Sequence, residues 1–129
     1  MCSLLLADDD VQQLGIRKLL LEASGHQVAV AETAAQAGSL AAQLRPDAIV
    51  MDLCLPKLKD GLGLIREVAR QGMSSRLIVL SGWIEELLDL PEEKLVACAL
   101  GKPFRHAQLL DAIEAVAHSA DRNVTSGSS

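Results

Sequence analysis

Aromatic residues are nearly missing from this sequence. It has no tyrosine, one tryptophan, Trp83, and one phenylalanine, Phe104. Stacking on successive unpaired bases is thereby excluded as a binding mode, and the core must be built from Leu, Ile, Val and Ala. Cysteine is also sparse. Cys2, Cys54 and Cys98 are odd in number and lack CxxC spacing, which argues against a disulfide framework or a zinc site and makes a reducing cytoplasm the expected setting. Positive charge is in deficit. The net charge of −5 disfavours nonspecific attraction to nucleic acid or to an anionic membrane. No uncharged apolar run approaches the length of a bilayer span. The short apolar start has no basic residue before it and is cut off by Asp8-Asp9-Asp10, so neither an anchor nor a signal peptide is expected.

What the chain does have is aliphatic residues in a regular alternation of patterns. Half of its 129 residues are apolar, enough for one core in one domain. The expected domain covers 1–120, followed by a polar, frayed tail at 121–129. Leu4 to Ala7, Ala48 to Met51 and Arg76 to Leu80 are short apolar runs that read as buried strands. His26 to Ala31 alternates as a strand nearer a sheet edge, and a short fifth strand is expected around Ala99-Leu100. Helical patterns lie between them: Val11 to Ala23, Thr33 to Leu44, a third after Asp60-Gly61 to Arg70, a fourth from Ile84 to Cys98 interrupted by Pro91, and a last from Ala107 to His118. Repeated strand–helix units with short connections predict an α/β fold, a parallel sheet with helices on both faces.

In such a sheet the reactive crevice lies at the carboxyl ends of the strands. Asp8 and Asp9 end the first strand, Asp52 the third and Ser81 the fourth, and Lys102 follows the fifth. All five are therefore expected at one edge. Three carboxylates brought together repel unless a cation joins them, and an oxygen-only donor set with no histidine favours Mg²⁺. Mg²⁺ and Lys102 together would neutralise the three carboxylates. A phosphoryl group would then find positive charge and the Ser81 hydroxyl for its oxygens, and Asp52 as its nucleophile.

These segments resemble the receiver domains of two-component response regulators, from about Ser3 to His118. Leu4-Leu5-Leu6-Ala7-Asp8-Asp9-Asp10 is similar to that family's first strand and acidic pair, and Ile49 to Pro56 with Asp60-Gly61 to its phosphoacceptor segment. Leu77 to Gly82 is similar to the strand ending in the switch hydroxyl, and Lys102-Pro103-Phe104 to the Lys-Pro-Phe signature, whose Lys-Pro bond is typically cis. Each motif alone is weak; the four in order are specific. The resemblance implies a doubly wound, flavodoxin-like sheet of strand order 2-1-3-4-5. It implies Asp52 as phosphoacceptor, with Ser81 and Lys102 holding phosphoryl oxygens. The implied Mg²⁺ ligands are Asp9, Asp52 and the Cys54 backbone carbonyl, with Asp8 acting through water. The implied partners are a sensor histidine kinase or phosphotransfer protein, with homodimerisation through the fourth helix, fifth strand and fifth helix. Such a domain is a switch that catalyses its own phosphorylation and dephosphorylation rather than a metabolic enzyme.

The sequence also departs from that family. The loop Pro56 to Gly61 is one residue longer and carries Lys57 and Lys59, Ala99 stands where the family has a switch aromatic, and Pro91 interrupts the fourth helical region. The phosphoacceptor residues are present, while the usual signalling face is altered. A phosphatase of the haloacid-dehalogenase type would need an Asp two residues after Asp52, where Cys54 stands. A nucleotide-binding domain would need a glycine-rich loop after the first strand, where three aspartates stand. Asp10 is read as a helix N-cap with Gln13 as its capping-box partner, Asp60 as a turn and cap residue, Cys54 as an inert thiol, and His26, His106 and His118 as surface or rim residues. Trp83, two residues past Ser81, is expected to shield the phosphoryl face.

Overall fold

The computed structural model describes residues 2–83 and 85–128, the side chains of 118–128 excepted. Five parallel strands form one sheet: β1 (Ser3–Ala7), β2 (Gln27–Ala31), β3 (Ala48–Asp52), β4 (Leu77–Ser81) and β5 (Cys98–Gly101). Their order is β2-β1-β3-β4-β5, as the resemblance implied. The helices are α1 (Val11–Ala23), α2 (Ala34–Leu44), α3 (Leu58–Arg70), α4 (Glu85–Leu88) and α5 (His106–Ser128).

The continuous apolar runs of the central strands follow from burial on both sides. Successive residues point to opposite faces, so β1 sends Leu5 and Ala7 to one layer and Leu4 and Leu6 to the other. The first layer packs beneath α2 and α3 through Ala37, Ala41, Leu64, Ile65 and Val68. The second packs beneath α1 and α5 through Leu14, Leu21, Leu109, Ile113 and Val116. Each of the leucine, isoleucine and valine side chains contributes about 1.5–3 kcal/mol when fully buried, which is how a core with so few aromatic residues holds together.

The helix starts are set by local chemistry. Asp10 Oδ1 accepts from the backbone N–H groups of Gln12 and Gln13 at 3.1 and 3.2 Å, the expected N-cap. The reciprocal half of the capping box does not form, because Gln13 Oε1 is taken by Arg17. Thr33 Oγ1 caps α2 through the Gln36 N–H. The start of α3 differs from expectation. It begins at Leu58, and Asp60-Gly61 lies in its first turn rather than before it. The Asp60 carboxylate accepts from the Lys57 N–H at 3.2 Å, so its capping role holds while its position moves into the helix.

Two further expectations are corrected. The fourth helical region is one short turn, Glu85–Leu88, followed by a 3₁₀ segment at Pro91–Leu95. Pro91 drives its predecessor Leu90 to an extended conformation (φ −99°, ψ 148°), as a residue before proline requires. The last helix extends to Ser128 rather than ending at His118. No proline or glycine interrupts the chain between His106 and Gly127, so nothing local stops it. The residues expected as a polar tail from 121 lie in this helix as far as Ser128, and the surface placement of His118 lies outside the described side chains.

Candidate functional site

The parallel register brings the strand ends named above to one edge. Ala7 pairs with Met51, Asp52 with Leu80, and Ser81 with Gly101. Asp8, Asp52, Ser81 and Lys102 therefore follow from neighbouring strands. The tightest contact joins residues fifty apart: Lys102 Nζ donates to Asp52 Oδ2. The backbone joins the same elements, since the Lys102 N–H donates to the Ser81 carbonyl at 2.8 Å. The Lys102–Pro103 bond is cis, as the resemblance implied. The Leu55–Pro56 bond is also cis, which nothing in the sequence signalled.

Asp52 is half-buried, and both its oxygens have a donor. Oδ2 holds Lys102, and Oδ1 accepts from the Cys54 N–H at 3.2 Å. Ser81 is buried. Its Oγ accepts from the Trp83 N–H at 3.0 Å. A hydroxyl is both donor and acceptor, and among the described residues the Ser81 hydrogen has no acceptor, so it is available to an incoming oxyanion. The Trp83 indole itself stands 71% exposed.

The acidic pair separates into two roles. Asp8 is buried; its Oδ1 caps the Asp10 N–H at 2.9 Å and its Oδ2 pairs with Arg17 at 2.8 Å. Asp9 is exposed, and among the described residues its carboxylate takes no hydrogen bond. The three carboxylates stand at one sheet edge without closing on one another. Among the described residues no three His, Cys, Asp or Glu side chains form a ready-made metal group. Two of the three carboxylates are instead paired with cations, Asp8 with Arg17 and Asp52 with Lys102.

Cys54 is partly buried. Desolvation first, then the nearby Glu86 and Asp52 carboxylates, push its thiol above the usual range. It is therefore protonated at neutral pH and is a poor nucleophile and a poor metal ligand through sulfur, in keeping with the inert reading. His26 is half-buried; its Nδ1 accepts from the Cys2 N–H at 3.1 Å, and burial holds its pKa below the ordinary value. It lies at the opposite edge of the sheet, beside the start of β2. His106 is also half-buried.

Two residues of this region were not singled out from the sequence. Arg17 lies on the inner side of α1 and reaches the acidic pair, and Glu86 on α4 adds negative charge beside Cys54. Arg17 follows Asp8 by nine residues, with no motif to mark it. Its one sequence signal is a charged residue three after Leu14 and four before Leu21, the buried residues of α1, on the face a helix turns inward.

Comparison with known proteins agrees with this geometry. Residues 4–114 match the response regulator receiver domain family. Protein PilH of Pseudomonas aeruginosa is 31% identical over 62% of this chain and 65% of its own length. The virulence transcriptional regulatory protein PhoP of Salmonella typhimurium is 31% identical over 90% of this chain and 52% of its own. The alkaline phosphatase synthesis transcriptional regulatory protein PhoP of Bacillus subtilis is 28% identical over 88% of this chain and 47% of its own. The chain thus spans about half the length of those two transcriptional regulators. A Francisella response regulator receiver domain superposes with a TM-score of 0.76 at 27% identity, covering 93% of this chain and 99% of that one. A receiver domain from Clostridium thermocellum shares the fold, with a TM-score of 0.85 at 22% identity over 94% and 98% of the two chains. Strand order, the edge constellation and the family match agree: this chain belongs to the receiver domains of two-component response regulators.

Proposed function

We propose that Asp52 is the phosphoacceptor of this receiver domain and that Ser81 and Lys102 hold the transferred group. The observation that carries this reading is the ion pair between Lys102 and Asp52, beside a buried Ser81 hydroxyl whose hydrogen is uncommitted. An Asp52 oxygen attacks the phosphorus of a kinase phosphohistidine or of acetyl phosphate. The new O–P bond forms as the bond to the donor's nitrogen or oxygen breaks, and the leaving atom keeps the electron pair. Lys102 is released from the carboxylate as the carboxylate's charge is lost in forming the acyl phosphate, and its ammonium meets the phosphoryl oxygens instead. Ser81 donates to another oxygen while still accepting from Trp83. Water later cleaves the acyl phosphate and returns Asp52 as carboxylate.

The donor chemistry fits Mg²⁺. Asp9, Asp52 and the Cys54 carbonyl are oxygen donors on adjoining loops, with Asp8 behind them, and Asp9 is exposed and unengaged. When bound, Mg²⁺ supplies positive charge to the phosphoryl oxygens. The remaining roles are part of the same reading: a sensor histidine kinase or phosphotransfer protein as donor, a cytoplasmic setting, and self-association through α4, β5 and α5. Among the described residues no helix is long and apolar enough to cross a membrane.

The test is intact-mass measurement after incubation with acetyl phosphate and Mg²⁺. One phosphoryl group should be gained, and Asp52→Asn should gain none. A label that survives Asp52→Asn refutes the assignment.

A further inference from the structure

Asp8 is held by a cation that the transfer chemistry does not use. Arg17 Nη1 donates to Asp8 Oδ2 at 2.8 Å, and the two side chains are only 14% and 3% exposed. The guanidinium is itself fixed. Its Nη2 donates to Gln13 Oε1 at 2.7 Å, and its carbon lies 5.6 Å from the centre of the Phe104 ring, within the range of a cation–π contact. Arg17, Lys102 and Phe104 line one groove between α1 and the β5–α5 loop. The arginine therefore links Asp8 to this groove, held by the Asp8 carboxylate on one side and facing the Phe104 ring on the other.

We propose that Arg17 is the resident counter-ion of the acidic pocket and sets the site's affinity for a divalent cation by competing for Asp8. This rests on the Mg²⁺ reading given above. In the metal-free protein, Arg17 and Lys102 each neutralise one carboxylate and leave Asp9 alone uncompensated. A divalent ion entering there meets two fixed positive charges and a carboxylate already in use. Metal binding must loosen the Arg17–Asp8 pair or proceed against it, and either route weakens the affinity. The same pair spares the metal-free fold a buried, unpaired carboxylate, which is costly. One side chain thus exchanges metal affinity for stability without metal.

A merely structural ion pair would contribute equally with and without metal, and this difference makes the proposal testable. Mg²⁺ is titrated calorimetrically into the parent, Arg17→Leu and Arg17→Lys, and each protein is melted in chelator and in saturating Mg²⁺. Leucine keeps apolar bulk against Phe104 and removes the charge. Arg17→Leu should bind Mg²⁺ about tenfold more tightly, the effect of one nearby charge. It should melt below the parent in chelator, and the gap should close in Mg²⁺ as binding stabilises the variant more. Arg17→Lys keeps the charge but loses the planar fork, and should bind with intermediate affinity. That variant carries the comparison should the leucine protein not fold. Parent-like affinity in the folded variants, or an equal loss of melting temperature in both conditions, overturns the proposal and leaves the metal reading standing. No saturable binding by any of the three proteins overturns the metal reading and this inference with it.

Discussion

At the residue scale, the site is built from side chains whose roles follow from what each can still bond. Ser81 accepts from the Trp83 N–H and keeps its own hydrogen. When that hydrogen goes to a phosphoryl oxygen, the 81–83 loop is pulled through the Trp83 backbone. The indole is 71% exposed, so shielding of the phosphate requires that this pull bring it over the site. Trp83 emission should then be solvent-like in the metal-free protein and shift to shorter wavelength with beryllofluoride. Trp83→Ala should lose phosphate from Asp52 several-fold faster after the donor is removed. An unshifted emission together with an unchanged rate would make the indole a surface for a partner instead. Asp52, Ser81 and Lys102 were legible in the sequence because each ends or follows an apolar run, and a parallel sheet sends all such ends to one edge. Arg17 was not legible. It belongs to a helix, its contact with Asp8 depends on the rotation of α1 against the sheet, and no spacing rule reports that rotation.

At the scale of elements, the loop after β3 and α3 are fitted to each other by one glycine. A Cβ placed on Gly61 would lie 1.6 Å from the Leu53 carbonyl oxygen and 2.6 Å from its carbon. Leu53 follows Asp52 directly, so the first turn of α3 is pressed against the backbone that presents the Asp52 carboxylate. Gly61 is buried, and φ is not the constraint, since among the described residues the glycines of positive φ are Gly25 and Gly72. The requirement is close approach, and backbone cannot yield as a flexible side chain does. Gly61→Ala should therefore cost about 3 kcal/mol in urea unfolding, at the upper end of ordinary overpacking. It should also slow phosphorylation by acetyl phosphate, because relief of the clash displaces the Asp52 loop. A parent-like midpoint would show that α3 can shift freely. The sequence marks Asp60-Gly61 as a turn, which has the right residues with the wrong reason. Turn chemistry is local, whereas the contact with Leu53 is visible only once the helix is docked. The fourth helix shows the opposite failure. Its apolar residues suggest a long helix, but Pro91 and the extended Leu90 leave one turn, and an exposed ion pair from Arg66 to Glu92 ties the following 3₁₀ segment to α3.

For the whole molecule, the question is how a charge placed at one edge of the sheet reaches a distant face. Ala99 on β5 has no ring to change rotamer, so an aromatic switch is not available to this chain. The remaining path is backbone. The Ser81 carbonyl accepts the Lys102 N–H, so a phosphoryl group that engages both side chains acts on β4 and β5 together. Next along the chain is α4, a single turn in which Leu87 is the one buried residue among those described and Leu88 is half in solvent. An element anchored by so little apolar area opens and shifts at low cost, and a small displacement there alters the face formed with β5 and α5. Binding of beryllofluoride with Mg²⁺ should therefore move amide resonances most strongly from Ser81 to Leu90, in the connection from β4 through α4, while β2 and α2 stay nearly still. Residues of β5 should respond only next to Lys102, since Ala99 transmits nothing by rotation. Heteronuclear correlation spectra recorded with and without the mimic decide the matter. Shifts confined to the loops after β1 and β3 would mean that the charge is absorbed locally and that α4 is not the moving part. Shifts centred on Ala99 would place the coupling in the strand itself, contrary to the backbone route argued from its missing ring.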